Sequence, residues 1–179
     1  MSVRNNNEQG EVAMIQKEIE GAINGQINQE FGASYAYLGM AAYFETNNLT
    51  GFAHWCVVQQ EEENQHAMRL FRYLLDRGGN ISLEKIKKPR QDYKNPQEVF
   101  EVALSHEQAN TKSINHLYEL ASTFNDHATM SHLQWFLNEQ VEEEKMVGEL
   151  VSLIKMAGSD VNALLYLNDK LGSRTAEDV

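Results

Sequence analysis

The chain has 179 residues, a length that suits one domain burying about two thirds of its unfolded surface. Hydrophobic residues make up 42% and charged residues 23%, and no apolar run reaches the roughly 20 residues of a membrane span, which excludes a membrane-spanning protein. The net charge of −11 disfavours nucleic acid as a partner and attracts cations. Acidity also serves solubility, so charge alone leaves the function open.

The N-terminal segment, residues 1–11, carries Asn, Gln and Glu without an apolar stretch. It resembles neither a signal peptide nor a transit peptide, and we predict a disordered lead-in. Cys56 is the single cysteine, so no internal disulfide is possible, and we predict a buried core residue there. This cysteine usage fits a reducing compartment and predicts a cytoplasmic protein.

Two long helices are predicted in the first half of the chain. The first spans residues 12–44, and the turn 45–49 ends it. Thr50 is the predicted N-cap of the second helix, which reaches residue 77 and closes at Gly78-Gly79. The apolar face of the first helix is predicted from residues at helical spacing: Ile15, Ile19, Ile23, Ile27, Ser34, Leu38 and Ala41.

Two further long helices and a short one follow. Asn95-Pro96-Gln97-Glu98 can cap and start the third helix, whose face is predicted to extend to Phe124. Asn125-Asp126 separates it from a fourth helix that ends near Gly158. A fifth helix over residues 159–171, stopped and capped by Gly158-Ser159, has no place in a four-helix core, so its leucines predict a role in assembly with other subunits. Residues 172–179 are predicted to be a flexible tail.

The lengths of the connections predict the topology of the bundle formed by residues 12–158. Short turns join the first helix to the second and the third to the fourth, which makes each pair antiparallel. The link 78–94 has 17 residues and can run the length of a helix of about 40 Å at about 3.3 Å per residue. We therefore predict an all-α four-helix bundle with one long crossover.

Polar residues interrupt the predicted apolar face of every helix near its middle. One such carboxylate has an ordinary explanation, a solvated edge or an ion pair. Four without Lys or Arg on the matching faces require cations. Glu-x-x-His places both ligands on one helix face, and we predict a dinuclear metal centre. The interrupting residues are Glu30, Glu63, His66, Glu107, Gln140 and Glu143.

The ligand types suit iron, manganese or zinc without separating them. Two ions about 3.5 to 4 Å apart can share the two electrons that reduce dioxygen. Iron performs this chemistry and zinc does not, so iron is favoured.

Four motifs carry a resemblance to a known family. In order and spacing they resemble the non-haem ferritins, especially the bacterial type, over residues 15–171. The fold implied is the ferritin-like bundle with a short fifth helix. The motifs are Asn28-Gln29-Glu30-Phe31 with Tyr35 and Tyr37, Glu62-Glu63-Asn64-Gln65-His66, His106-Glu107-Gln108-Ala109-Asn110, and Leu137-Asn138-Glu139-Gln140-Val141-Glu142-Glu143-Glu144-Lys145.

The resemblance implies a role for each site residue. Glu30, Glu63 and His66 are implied to hold the first iron, with Glu63 bridging to a second. Glu107 is implied to ligate the second iron, with Glu143 nearby, and Tyr37 is implied to lie beside the two ions. Gln140 is implied to hydrogen-bond water or bound oxygen. A third iron site is implied for Glu62, Glu139, Glu142 and Glu143. A solvated helix face explains these extra acids equally well.

Three departures from related families shape the expectation. Bacterioferritins carry a second Glu-x-x-His where this chain has Gln140-x-x-Glu143, and this asymmetry favours a centre that passes iron onward. Their haem-ligating Met is Asn64 here, so no haem is expected. Animal ferritins line an iron pore with acids where this chain has Met130 and Leu133, which leaves the entry route undefined.

The resemblance implies an iron-storage subunit with ferroxidase activity. Its reaction converts four ferrous ions, one dioxygen and four protons into four ferric ions and two waters, and the ferric mineral collects in a homo-oligomeric cage, a 24-mer. Two alternatives remain open. One is a di-iron oxidase or peroxidase that forms no mineral, and the other is a metal-free helical scaffold with an ion-pair core.

Overall fold

The computed structural model describes residues 15–175 of the chain. Within this range the chain forms five α-helices and no strand, which confirms the predicted all-α fold. The helices are α1 (Lys17–Thr46), α2 (Thr50–Asp76), α3 (Pro96–Thr123), α4 (His127–Ala157) and α5 (Val161–Leu171). The predicted lead-in at residues 1–11, the predicted helix start at residue 12 and positions 176–179 of the predicted tail lie outside the described residues. None of the five helices has the length and apolar character of a membrane span.

The predicted signals at three helix ends act as expected. Asn95 Oδ1 accepts the N–H of Glu98 at 2.9 Å before α3, and Asp126 Oδ1 accepts the N–H of Thr129 at 3.0 Å before α4. Each bond satisfies a backbone donor that the first helical turn leaves free. Gly78 takes a φ of 71° at the end of α2, a conformation that glycine adopts without a steric penalty.

The start of α2 differs from the prediction, because Thr50 is its first helical residue and its side chain caps nothing. The cap comes from α5. Asn168 Oδ1 accepts the N–H groups of both Gly51 and Phe52 at 3.0 Å. A Cβ atom at Gly51 would lie 1.7 Å from the Asn168 carbonyl oxygen, so only glycine allows this approach. The start of α2 is therefore completed by a residue more than a hundred positions away.

The segment between α2 and α3 runs alongside α1. Asn24, near the start of α1, donates from its amide to the Asn80 carbonyl at 2.8 Å. Near the end of α1, the ring of Tyr43 packs edge-on against Tyr93 at a centroid distance of 5.3 Å. The crossover thus covers about 28 Å of α1 at 1.5 Å per residue. It returns the chain to the end of the bundle where α2 begins, so α2 and α3 are parallel, as predicted.

The apolar core consists of two clusters at opposite ends of the bundle. One includes Phe44, Phe52, Trp55 and Phe100, and the other is built on isoleucines and leucines of all four long helices. Between the two clusters lie buried polar side chains of the middle of each helix. The buried polar set includes Gln26, Glu30, Ser34, Gln59, Glu62, Glu63, His66, Glu107, Asn110, Gln140 and Glu143. The bundle therefore encloses a polar layer across its centre.

The predicted core residues are buried with two exceptions. Cys56, Phe52 and Phe136 are at most 1% exposed, which confirms them as core residues. Leu38 is 45% exposed and Phe124 is 40% exposed, so their predicted inward positions are wrong. In α1 the neighbouring Tyr37 points inward instead, because helical geometry turns each successive residue by about 100°.

Helix α5 packs on its own subunit through one face. Its start is capped by Asp160, which accepts the N–H of Asn162 at 2.9 Å, and the predicted cap Ser159 has no such bond among the described contacts. Leu167 is buried in the first apolar cluster, which corrects the expectation that α5 has no place in the core. Leu165 is 51% exposed and Tyr166 is 70% exposed on the opposite face. The helix therefore offers a second apolar face to its surroundings.

Candidate metal centre

The polar layer gathers one predicted metal ligand or more from each long helix. Each lies near the middle of its helix on the inward face and is at most 3% exposed. The helical period brings these positions to the same level of the bundle. The residues that meet there are Glu30 of α1, Glu63 and His66 of α2, Glu107 of α3, and Gln140 and Glu143 of α4.

Glu30, Glu63 and His66 form the tightest group. Each offers one ligand atom, and these atoms lie within 4.8 Å of one another. Glu63 Oε2 and both ring nitrogens of His66 are buried without a hydrogen-bond partner in the part of the chain that the structure describes. Leaving a buried polar group unsatisfied costs about 1 to 3 kcal/mol. A metal ion can accept Glu63 Oε2 and one nitrogen of His66, while the other nitrogen carries the ring proton, so the donor set fits an ion.

Glu107 and Glu143 lie near Glu63, and Glu143 also lies within ligand distance of His66. The Tyr37 hydroxyl donates to Glu107 Oε1, the partner that the resemblance implies. Gln59 donates from one amide nitrogen to Glu143 Oε2 at 2.8 Å and to Glu63 Oε1 at 3.4 Å. Glu63 therefore lies close to ligand groups from all four long helices, a position that a bridging ligand would need.

The four carboxyl groups are packed together without a Lys or Arg partner among the described residues, and His66 Nδ1 lies 3.6 Å from Glu63 Oε2. Among residues 15–175 no Lys or Arg forms an ion pair with Glu30, Glu63, Glu107 or Glu143. Burial raises the pKa of Glu30 and of Glu63 well above their usual range, and neighbouring carboxylates raise both further. Burial, with the charge of Glu107, raises the pKa of Glu143 to about 8. Without metal these groups hold protons near neutral pH, and bound cations must displace them.

These raised pKa values predict how the stability of the metal-free protein depends on pH. The folded chain holds a proton on Glu143 that the unfolded chain releases near the ordinary value of 4.5. The contribution of Glu143 to stability is therefore fully present below that pH and is lost as the pH rises to about 8. Glu143→Gln should remove part of this fall, raising stability at pH 8 by roughly 3 kcal/mol per subunit. Thermal unfolding of metal-free protein at several pH values tests this.

The matched control for this prediction is Glu149→Gln, an exposed position on the same helix. It changes the net charge equally and should leave the pH dependence as it is. Equal slopes for the Glu143 variant and the native chain would contradict a protonated Glu143. Saturating divalent metal should abolish the slope in the native chain, because the ions supply the missing countercharge.

A network of amides orients the carboxylates, and the sequence analysis missed its role. Gln26 donates to Glu30 Oε1 at 2.6 Å, and Asn110 donates to Glu30 Oε2 at 3.1 Å. Asn110 also donates to Gln140 Oε1 at 3.2 Å, while the Gln140 nitrogen lies 3.3 Å from the Glu107 carbonyl. Gln140 thus bonds to protein groups at both ends of its amide. The sequence does contain a signal for this network, because an amide side chain lies about one helical turn from a ligand on the same helix.

The residues predicted for a third site are only partly brought together. Glu139 and Glu143 offer ligand atoms within 4.8 Å of His66. Glu62 instead forms an ion pair with Arg174 at 2.5 Å, and Glu142 is exposed on α4. Glu139 is half-buried. The structure therefore groups two of the four predicted ligands with an imidazole that was assigned to the first site.

Fold and site together define a class of protein: a four-helix bundle with a long crossover and a buried carboxylate and histidine centre between its helices. The sequence profile of the ferritin-like domain matches residues 20–157. Bacterial non-heme ferritin of Staphylococcus aureus is 37% identical over 165 residues, 92% of this chain and 99% of the relative. The protein of the same description from Staphylococcus epidermidis is 37% identical over 162 residues, 90% and 98% of the two chains. The chain belongs to the ferritin family, among the non-haem ferritins.

Solved structures agree with this assignment. An open pore ferritin from the hyperthermophilic archaeon Archaeoglobus fulgidus superposes with a TM-score of 0.90 at 39% identity, covering 91% of this chain and 100% of that one. A structure described as a humanized archaeal ferritin gives a TM-score of 0.89 at 42% identity, covering 90% and 99%. Both superpositions cover at least 90% of this chain, so the predicted ferritin-like fold is confirmed.

Proposed function

We propose that the chain is an iron-storage ferritin subunit that binds two ferrous ions in the polar layer, oxidises them with dioxygen and retains the ferric product in a cage. The observation that carries the proposal is the absence of hydrogen bonds to three buried atoms of the described chain, Glu63 Oε2 and both nitrogens of His66. An ion-pair network would have satisfied these atoms with Lys or Arg. Family membership supports iron as the cation.

The proposed ligand roles follow from the order of groups across the layer. Glu30 and His66 hold one ferrous ion, Glu107 holds the other, and Glu63 bridges them. Glu143 lies beside Glu63 on the side of the second ion, where Gln59 orients it. Binding displaces protons from these carboxyl groups, and oxidation to ferric ions increases the charge that they compensate. The stronger attraction in the ferric state favours oxidation.

The electron balance assigns a role to Tyr37. Two ferrous ions supply two electrons, whereas reduction of dioxygen to two waters needs four electrons and four protons. The Tyr37 ring is fully buried and its hydroxyl donates to Glu107. Burial and the charge of Glu107 raise the pKa of this phenol well above its usual range, so it stays a donor. We propose that Tyr37 supplies a third electron while its proton moves to Glu107, and that a further ferrous ion entering the centre supplies the fourth.

Tyr37→Phe tests this role, since it keeps the ring and removes only the hydroxyl. Oxidation of the first two ferrous ions per subunit should proceed at the native rate. The following reduction of oxygen should slow several-fold, and the tyrosyl radical signal should be absent after freeze-quenching with oxygen. A radical of undiminished intensity in the variant would move the donor role to Tyr35 or Trp135.

Storage requires an enclosing assembly, and the surface supports one. Apolar side chains of α1 and the crossover are exposed in the single chain, among them Tyr35, Leu38, Leu83 and Ile86, each at least 42% exposed. Ferritins from bacteria and an archaeon match nearly the whole chain. We propose a homo-oligomeric cage, a 24-mer as the resemblance implies. The test measures ferrous-dependent oxygen uptake, particle mass and iron retained per subunit on one sample. Oxygen uptake by a small particle that retains no iron would favour an oxidase without storage.

A further inference from the structure

The end of α5 and the residues that follow it pack against the first turns of α2 through one side-chain contact and one backbone contact. Asn168 of α5 caps the start of α2. A few residues later, the carbonyl of Arg174 lies 2.8 Å from the His54 ring nitrogen Nε2. The two contacts are one turn apart on α2. They hold the backbone of Arg174 close enough to α2 for its side chain to reach along the helix.

The guanidinium of Arg174 is bound by three residues of α2. Its Nη2 donates to Glu62 Oε2 at 2.5 Å, and its Nη1 donates to Gln59 Oε1 at 2.8 Å. The guanidinium also lies 4.7 Å from the centre of the Trp55 ring, within the range of a cation–π contact. The Arg174 side chain is 16% exposed and that of Glu62 is 9% exposed. This ion pair is therefore mostly withdrawn from water, where its partners are costly to separate.

Arg174 also sets the orientation of the Gln59 amide. A guanidinium has donors only, so the oxygen of the amide must face it and the nitrogen must face the other way. That nitrogen donates to Glu143 Oε2 at 2.8 Å and to Glu63 Oε1 at 3.4 Å. One amide thus links the C-terminal segment to two carboxylates of the metal centre.

The ion pair removes Glu62 from the residues that can hold a cation beside the centre. Ligand atoms of His66, Glu139 and Glu143 converge within 4.8 Å, and the carboxylate of Glu62 is not among them. An ion that bound Glu62 would have to break its ion pair with Arg174, whose guanidinium is also held by Gln59. Arg174 already supplies the positive charge that Glu62 needs.

We propose that Arg174 is a positioning residue of the metal centre, which holds Glu62 out of the third site and keeps the affinity of that site for a third cation low. The contacts of Arg174 with Glu62 and Gln59 make the C-terminal segment part of the site. The inference rests on the proposed function in one respect, namely that cations bind in the polar layer.

The test is a titration of the full-length assembled protein with Co²⁺, followed by its visible absorption and by calorimetry. Co²⁺ accepts carboxylate and imidazole ligands and is not oxidised by air at such a site. In Arg174→Gln the first two ions per subunit should still bind. The third should bind roughly tenfold tighter or more, since a freed carboxylate joins the site. Lys170→Gln, an exposed position on α5, removes the same charge and should bind the third ion as the native chain does.

Two further variants test whether the gain in affinity comes from the carboxylate of Glu62. In the double variant Arg174→Gln, Glu62→Gln the gain in affinity for the third ion should disappear. In Arg174→Lys it should be mostly absent, because the ammonium still neutralises Glu62. Equal third-ion affinity in Arg174→Gln and the native chain would overturn the inference, as would a gain that persists in the double variant. If Arg174→Gln does not fold, Glu62→Gln decides: weaker binding of a third ion there would also overturn it.

The outcomes separate this inference from the proposed function. A native chain that binds two Co²⁺ per subunit, with no change on substitution of Arg174, contradicts only the role of Arg174. A native chain that binds no Co²⁺ contradicts the proposed function, and the inference falls with it.

Discussion

Glu63→Ala should slow ferrous oxidation by roughly two orders of magnitude or more while the particle still assembles. Glu63 offers a ligand atom close to those of Glu30 and His66 and lies near Glu107 and Glu143, and its Oε2 has no hydrogen-bond partner in the described chain. Loss of a bridging ligand affects both ions at once, whereas loss of a residue behind a ligand costs about 10- to 100-fold. Stopped-flow oxidation with saturating iron measures the effect.

The fold should survive this substitution, because removal of Glu63 relieves crowding among buried carboxyl groups. Glu107 and Glu143 raise the pKa of Glu63, and Glu63 in turn raises that of Glu30. Glu63→Gln keeps the volume and removes the charge, so it separates packing from ligation. Glu61→Gln, an exposed position on α2, is the matched control with the same change of charge. Native oxidation rates in both Glu63 variants would place the oxidation site elsewhere.

The residues of the candidate centre could be found from the sequence because helical spacing reports inward faces. A carboxylate in an apolar stripe is visible in a single helix, and the absence of Lys and Arg from the stripes points to a cation. Leu38 shows the limit of the method. An apolar residue next to the true inward position, Tyr37, fits the stripe almost as well, and only packing against a neighbour decides between them.

Long-range contacts could not be predicted in this way. Thr50 has the right chemistry for a cap, but Asn168 takes the role because α5 packs across the start of α2. Arg174 contacts Gln59 and Glu62 from 115 and 112 positions away. Local propensity and periodicity carry no signal for either contact, since both depend on how α5 docks. The sequence therefore defined the ligands better than it defined the groups that hold them.

Helix α5 should contribute to the stability of its own subunit through one face and to assembly through the other. Deletion from Ser159 onward should leave the four long helices formed but lower the free energy of unfolding. The deletion removes Leu167 from the core and Asn168 from the start of α2. Burial of a leucine contributes about 1.5 to 3 kcal/mol, and loss of an N-cap costs about 1 kcal/mol. Chemical denaturation and the mass of the particle measure the two effects.

Single substitutions separate the two faces more sharply than the deletion does. Leu167→Ala should lower subunit stability by about 2 to 3 kcal/mol and leave the particle mass unchanged. Asn168→Ala should expose the amides of Gly51 and Phe52, which now donate to its side chain, and their hydrogen exchange should accelerate.

The outward face of α5 should behave in the opposite way. Leu165 and Tyr166 are mostly exposed in the single chain, so replacing both with Ser removes little intramolecular packing. If this face is buried between subunits, the double variant should keep subunit stability within about 0.5 kcal/mol of native and yield smaller or more easily dissociated particles, because an interface depends on its apolar centre. Analytical ultracentrifugation across a range of salt and protein concentrations measures dissociation. Native cages from this variant, together with native cages from the Ser159 deletion, would show that α5 serves only its own subunit.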